Sequence, residues 1–247
     1  MPATSTKSRW ENGVQIFYDS STNETIRAMA PMWFYEDFLG EGGLEEGNTV
    51  DRWEVVEVGS ATASLLADTA TGVWRLVQSA TSEAQDAVLY WGDQTPINVL
   101  NDVQFETRLS VTALPTVSSV MVWGMCGDHN LDKDTVAESA WFRLDASGAL
   151  DVETDDGSTN TDDTSTGLTL VAGTYYIFRI DFSDLTDVKF YVNGARYAAS
   201  TTHDLSALTA TTGLFQPYFS IDKAVSVGVG TMDVDYVKIW GARSSLV

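Results

Sequence analysis

The chain has 247 residues, with 35 acidic and 14 basic side chains and a formal net charge of -21 at pH 7. Nucleic acid and anionic membrane surfaces would repel so acidic a chain, so neither is an expected partner. Hydrophobic residues make up 44% and aromatic residues 11% of the chain, which is too much apolar material for a disordered acidic protein. The composition indicates a globular protein, and the length favours a single domain.

The chain has too few cysteine and histidine side chains for two kinds of stabilising site. Cys126 is the single cysteine, and His129 and His203 are the two histidines. An intrachain disulfide and a structural zinc cluster are therefore excluded. The first residues lack the apolar segment of a signal peptide, and no stretch approaches about 18 apolar residues. We expect synthesis in a cytoplasm, with release only inside or upon a larger particle.

Residues 1–30 are predicted to form an arm that carries a small hairpin. Asn12 and Gly13 form a tight-turn pair, and Pro31 follows the segment. Because an isolated hairpin is only marginally stable in water, we expect the arm to pack on a neighbouring subunit, on a capsid protein or on its own domain. The candidate docking residues are Arg9, Trp10, Ile16, Phe17, Tyr18 and Arg27.

Residues 31–243 show the period-two alternation of β-strands. Val103 to Val111 alternates apolar and polar side chains, and similar runs recur between Gly, Asn and Asp turn signals. Many short strands of this kind predict an all-β fold, a two-sheet antiparallel jelly-roll sandwich. Residues 154–167 contain no apolar side chain and are predicted to be a solvated loop. Residues 244–247 are predicted to be a C-terminal tail.

The strand alternation also predicts a set of buried positions. These are Phe105, Leu109, Val120, Val122, Phe178, Ile180, Phe190, Val192, Val234, Tyr236 and Ile239.

Three segments carry a resemblance to a known superfamily. Phe34 to Phe38 ends in an Asp-Phe pair, Val188 to Gly194 closes on an Asn-Gly turn, and Met232 to Trp240 is a long alternating run. In order and spacing they resemble strands of the concanavalin A-like superfamily, in particular its laminarinase-type β-glucanases and laminin-G-like modules. The resemblance spans roughly residues 34–241. It implies a jelly roll of the kind also found in surface proteins of tailed-phage virions.

The same resemblance argues against catalysis. Glucanases of this superfamily place Glu-x-Asp-x-Glu on one strand, because alternate side chains point into one cleft. The corresponding positions here are Glu138, Ala140 and Phe142, so two of the three carboxylates are missing. A second alternating set is predicted to be a solvated outer face: Asp151, Glu153 and Asp155. We therefore predict that the protein is not an enzyme, and a laminarinase-like glycosidase is the least favoured function.

Two weaker binding signals accompany these strands. Trp123 and Trp141 could stack on sugar rings, although most Trp residues of an aromatic-rich sandwich lie in its core. Four acidic side chains could supply oxygen ligands to calcium, although solvation alone explains them: Asp155, Asp156, Asp162 and Asp163. No other cofactor is expected.

These observations together favour a virion protein without enzymatic activity. We expect a capsid decoration or auxiliary head protein on the virion surface, made in the host cytoplasm and attached through its arm to the major capsid protein or other virion subunits. The acidic exterior would prevent adhesion among particles and to DNA. The alternative is a carbohydrate-binding module or receptor-binding adhesin with a glycan partner. A homo-oligomer is compatible with either function.

Overall fold

The computed structural model of the chain describes residues 6–11, 14–39, 52–67, 69 and 71–243. Within these ranges the chain forms 19 β-strands, and the 3-10 turn Lys133–Thr135 is the only helical element. None of the described residues belongs to a helix that is long and apolar enough to cross a membrane. In chain order the strands are β1 Thr6–Glu11, β2 Val14–Asp19, β3 Thr25–Met29, β4 Met32–Glu36, β5 Glu54–Val58, β6 Thr62–Leu65, β7 Trp74–Val77, β8 Glu83–Tyr90, β9 Ile97–Asn98, β10 Gln104–Ala113, β11 Ser119–Cys126, β12 Glu138–Asp145, β13 Ala149–Asp156, β14 Asn160–Thr169, β15 Tyr175–Asp181, β16 Lys189–Val192, β17 Ala195–Tyr197, β18 Leu214–Ser226 and β19 Thr231–Gly241.

Two large antiparallel sheets form a sandwich. Sheet 1 has the order β17-β16-β15-β10-β19-β7-β6, and β4 also pairs with β19. Sheet 2 has the order β14-β13-β12-β11-β18-β8-β5, and β9 also pairs with β18. Alternate side chains of both sheets meet in one buried core that includes Phe105, Phe178, Phe142 and Phe219. The predicted fold class, a two-sheet antiparallel jelly roll, is confirmed.

All of the predicted buried positions are buried except Val120, but three of them lie on outer faces rather than between the sheets. Val120 and Val122 belong to a second apolar cluster outside sheet 2, together with Trp141, and Val120 is only partly buried. Tyr236 lies outside sheet 1, where its hydroxyl donates to Glu106 Oε1 at 3.0 Å. The other predicted core positions lie between the sheets.

The outward position of each of these residues has a local cause. In β11 every residue from Val120 to Cys126 is apolar or glycine, so alternation does not identify the inner face. In β19 a β-bulge shifts the pairing with β10 between Val234 and Tyr236. A bulge adds one residue to one strand and therefore reverses the faces beyond it.

The predicted loop 154–167 is wrong for most of its length. Residues 160–169 form β14, the ten-residue edge strand of sheet 2. Its polar side chains alternate between exposed and half-buried positions, and backbone pairing with β13 holds it in place. An edge strand with solvent on one side needs no apolar side chains, and threonine favours extended backbone.

The arm is a three-stranded sheet in the order β1-β2-β3 rather than a single hairpin. It packs on the outer face of sheet 1, where Ile16 is fully buried against Trp240. The Thr25 backbone N–H donates to Glu106 Oε1 at 3.1 Å, and its hydroxyl donates to Glu106 Oε2 at 2.8 Å. Lys238 Nζ donates to the Thr25 carbonyl. The arm therefore uses the chain's own sandwich as its support.

Two parts of the predicted organisation lie outside the described residues. These are the Asn12-Gly13 turn and the 244–247 tail.

Candidate functional site

A loop of residues 127–137 covers part of the outer face of sheet 2. Lys133, in the 3-10 turn, is buried, and its Nζ lies 3.1 Å from Asp86 Oδ2. His129 Nδ1 lies 3.0 Å from the Tyr218 hydroxyl, and burial lowers the pKa of His129. The loop shields the second apolar cluster from water: Val88, Tyr90, Val122, Cys126, Val136, Trp141 and Tyr218.

An open cleft of about 280 Å³ lies beside this loop. Residues 134–137 form one wall, and the turn between β13 and β14 forms the other. We call it the polar cleft, lined by Asp134, Thr135, Val136, Ala137, Asp155, Gly157, Ser158 and Asn160. A narrow extension reaches Ser139, Trp141 and Glu153 on the surface of sheet 2.

Glu153 lies at the floor of this region within a network of charged groups. Trp141 Nε1 donates to Glu153 Oε2 at 2.8 Å, and Arg143 lies 3.3 Å from the same carboxylate. Arg143 also donates to Asp134 Oδ1 at 2.7 Å. Burial raises the pKa of Glu153 to about 7 and neighbouring Asp163 acts in the same direction, whereas Trp141 and Arg143 act against the rise. The predicted solvated position of Glu153 is wrong, because only 5% of it is exposed.

A β-bulge brings Asp163 to this network. Val152 pairs with Thr164 and Thr154 with Thr161, so Asp163 lies in the irregular part of β14. Its φ of 46° is in the left-handed region, which Asp tolerates better than most residues. Asp163 Oδ1 consequently lies 3.9 Å from Arg143 Nε. The sequence gives no signal for this bulge, which depends on backbone pairing.

The four acidic side chains named as calcium candidates do not converge on one point where a calcium ion could bind. Asp155 Oδ1 accepts from the Gly157 backbone N–H at 2.8 Å, and Asp156 Oδ1 accepts from the Ser158 and Thr159 backbone N–H groups. Asp162 accepts from the Asn160 side-chain amide at 3.0 Å. Across the described ranges, no three His, Cys, Asp or Glu side chains form a group that could hold a metal ion. The carboxylates instead stabilise turns or line the polar cleft.

The two tryptophan candidates have different positions. Trp123 is fully buried between the sheets, stacked on Phe142 with the ring centroids 6.0 Å apart and edge-on to Phe178 at 4.9 Å. It is a core residue, and its predicted role as a sugar platform is wrong. Trp141 faces the polar cleft region but is only 2% exposed. It can support the floor, but the loop leaves no open ring face for stacking.

Two of the three positions compared with the glucanase motif face the core, whereas Glu138, at the start of β12, is only partly buried. Ala140 and Phe142 belong to the buried cluster between the sheets. Ser139, Trp141 and Arg143 alternate with them and therefore take the outer side of β12. Ala140 and Phe142 thus lie on the side of the strand that faces the other sheet.

The candidate docking residues are divided between the two faces of the arm. Arg9 pairs with Ile16 on the inner face, whereas Trp10 and Phe17 lie on the opposite face. Trp10 is 70% exposed, and Phe17 and Tyr18 are half-buried. Ile16 is buried within the chain, so it is not available to another protein. The Arg27 side chain lies outside what the structure describes.

The two large antiparallel sheets define a jelly-roll sandwich, and a loop covers part of the outer face of sheet 2. Residues 69–235 match the family model described as the SO2946-like C-terminal domain, and the chain belongs to this family. No curated protein sequence matches the chain.

Three solved structures illustrate the fold. A protein of unknown function, SO2946 from Shewanella oneidensis MR-1, is 12% identical with a TM-score of 0.56, covering 87% of this chain and 90% of that chain. The Emp47p carbohydrate recognition domain is 11% identical with a TM-score of 0.57, covering 84% of this chain and 94% of that chain. A family 7 alginate lyase, A1-II', is 14% identical with a TM-score of 0.50, covering 72% and 83%. At these identities the likeness is one of fold.

Proposed function

We propose that this chain is a non-catalytic domain that binds neutral oligosaccharides in the polar cleft. The observation that carries the proposal is the chemistry of the lining, where carboxylate, amide and hydroxyl groups converge from two turns on one open volume. Sugar hydroxyls both donate and accept hydrogen bonds, and bonds to a carboxylate are the stronger ones. A volume of about 280 Å³ suits one or two sugar rings rather than a drug-sized ligand.

Charge favours a neutral ligand. Asp134 and Asp155 line the cleft, and the chain as a whole carries a net charge of -21. An anionic sugar in this cleft would meet repulsion at close range from these two carboxylates. The Emp47p carbohydrate recognition domain has the same fold, which supports a carbohydrate as the ligand by analogy.

The position of Glu153 favours binding over catalysis. Glycoside hydrolysis requires two carboxyl groups on either side of the scissile bond, about 5–9.5 Å apart, and both must reach the substrate. The pKa of Glu153, about 7, would suit a general acid. However, Glu153 lies below the cleft, against Trp141 and Arg143. A proton held there has no direct route to a bond in the open cleft. We therefore propose that the domain has no hydrolase activity.

Asn160→Ala is expected to weaken binding of a neutral oligosaccharide roughly five- to thirtyfold. Asn160 lines the cleft, and loss of one or two ligand hydrogen bonds costs about 1–2 kcal/mol. A neutral-glycan array would identify the best ligand, and titration calorimetry would measure the dissociation constant. Thr169→Ala, at the other end of the same strand, is the matched control and should bind like the wild type. Absence of any neutral-glycan binding, or equal loss in both variants, would contradict the proposal.

A second candidate function is attachment to a virion through the outer face of the arm. The observation that favours it is Trp10, a large aromatic side chain that is 70% exposed and shares its face with Phe17. Exposed aromatic side chains of this kind are common anchors of protein interfaces. Attachment by this route would place the chain on the capsid surface.

Trp10→Ala tests this candidate without removing the arm. Deletion of residues 1–30 would expose Trp240 and take Thr25 away from Glu106 and Lys238, so it would disturb sheet 1. We expect Trp10→Ala to abolish sedimentation with capsid shells, while Trp33→Ala, on the exposed part of β4, leaves it intact. Sedimentation of both variants at the wild-type level would exclude Trp10 as the anchor.

A further inference from the structure

A second cleft, of about 220 Å³, lies between the arm and the outer face of sheet 1. We call it the arginine cleft. Its lining includes Arg9 and Asn23 from the arm and Glu106, Ile177, Arg179 and Tyr191 from the sheet. It lies on the opposite sheet from the polar cleft, and its side chains differ in charge and shape.

The sheet side of the arginine cleft is a cross-strand row. Glu106 pairs with Arg179 across β10 and β15, and Arg179 pairs with Tyr191 across β15 and β16. Glu106 also pairs with Lys238 on its other side, where their charged atoms are 3.7 Å apart. Directly opposite residues in a sheet have adjacent side chains, so these groups are held side by side.

The acceptor capacity of Glu106 is largely used within the protein. Its two oxygens accept hydrogen bonds from the Thr25 backbone and hydroxyl and from the Tyr236 hydroxyl. Only 1% of Glu106 is exposed. The polar groups that the cleft can offer to a ligand are therefore mainly donors, from the two guanidinium groups and from the second N–H of the Asn23 amide, which also donates to the Asn193 carbonyl at 3.1 Å.

Aromatic rings hold both guanidinium groups in place. Arg179 is buried, with its guanidinium carbon 4.3 Å from the centroid of the Tyr191 ring. The guanidinium carbon of Arg9 lies 4.6 Å from the centroid of the Tyr18 ring. Both side chains also interact with other groups of the chain. A guanidinium has five N–H donors, and a carboxylate needs only two of them, so such interactions are compatible with ligand binding.

We propose that the arginine cleft binds one uronic acid residue of an acidic polysaccharide. Arg9 and Arg179 hold the carboxylate, and Asn23 donates to a ring hydroxyl. Ile177 and Tyr191 contact the apolar face of the ring, which a bare inorganic anion would not use. This site is independent of the function proposed for the polar cleft.

Titration calorimetry with the full chain and trigalacturonate tests the proposal, with maltotriose as the neutral sugar and triglutamate as the carboxylate without a sugar ring. We expect trigalacturonate to bind and triglutamate not to bind, whereas any binding of maltotriose would occur in the polar cleft and should be unchanged by Arg9→Gln. Arg9→Gln should reduce the affinity roughly tenfold or more, since a charge-assisted pair is lost. Arg196→Gln, which removes a cation paired with Asp187 in a separate ion pair, should change it less than about twofold.

Variants at the other site separate the two proposals. Asn160→Ala should leave trigalacturonate binding unchanged, and Arg9→Gln should leave neutral-glycan binding in the polar cleft unchanged. Arg179→Lys provides a second variant at the arginine cleft that keeps the charge and loses the planar fork. Three results would overturn the inference: no binding of trigalacturonate, equal binding of triglutamate, or wild-type affinity in both arginine variants.

Discussion

Lys133→Met is expected to lower the free energy of unfolding by about 3–5 kcal/mol, because it leaves the buried Asp86 carboxylate without its cation. The side chains of Lys133 and Asp86 are 3% and 7% exposed, and their charged atoms are 3.1 Å apart. Burial raises the pKa of Asp86, and Lys133 acts against that rise. Without Lys133 the pKa of Asp86 rises further, so the loss of stability should be greatest above neutral pH and shrink in acid as Asp86 takes up a proton.

Chemical denaturation at several pH values measures this effect. Lys189→Met is the matched control, because Lys189 and Asp184 form a more exposed pair at 3.7 Å. Such a pair contributes about 1 kcal/mol or less. Hydrogen exchange should also show faster exchange in residues 128–137 of the Lys133→Met variant only. Equal losses of stability in the two variants would mean that Lys133 does not anchor the loop over sheet 2.

Glu153→Gln is expected to remove a large part of the pH dependence of stability between pH 4.5 and 8. Burial raises the pKa of Glu153 from its ordinary value of 4.5 to about 7 in the folded protein. A group with a raised pKa stabilises the fold fully below its unfolded pKa and loses that contribution as the pH rises through the folded pKa. The difference corresponds to about 3 kcal/mol.

The measurement is the free energy of unfolding of both proteins across this range. The wild type should lose about 3 kcal/mol relative to Glu153→Gln as the pH rises from 4.5 to 8. Glutamine retains an oxygen that can accept from Trp141 Nε1, so the variant imitates protonated Glu153. Asp134→Asn, at an exposed partner of the same Arg143, should keep the wild-type pH dependence. A constant difference between wild type and Glu153→Gln would refute the buried position of this carboxyl group.

The sequence was sufficient to predict the sandwich but not every face of its strands. Alternation in β10 correctly identified Phe105 and Leu109 as core residues. In β11 the outer face is itself covered by the 127–137 loop, so apolar residues occupy both sides. Trp123, a candidate for sugar stacking, therefore lies between the sheets, and Val122, predicted to be buried, is buried on the outer face of sheet 2. Where the outer face of a strand is covered, its side chains are apolar as well. The alternation of polar and apolar residues that identifies the inner face is then lost.

The third strand of the arm, the surface on which the arm packs, and the edge strand β14 are not predictable from the sequence for a different reason. Ile16 is buried by Trp240, and Thr25 is bound to Glu106, contacts that join distant parts of the chain. β14 depends on backbone pairing with β13 and has few apolar side chains. Local sequence patterns record neither long-range contacts nor backbone pairing.

The sequence indicates single residues of the candidate site but not their arrangement. Trp141 and Asp155 were named for different ligands, yet both belong to the walls or floor of the same region. No sequence pattern indicates that Asn160 and Arg143 join them, because the relevant turn and bulge are set by the pairing of β13 with β14. Composition likewise does not show which carboxylates are buried.

The most direct test of neutral-glycan binding in the polar cleft is an NMR titration of the wild-type chain with the best ligand from a neutral-glycan array. The account predicts that backbone amide shifts concentrate in residues 134–137 and 155–160, with saturation at one ligand per chain. Shifts that map to the arm or to the outer face of sheet 1, while these two segments remain unchanged, would contradict it.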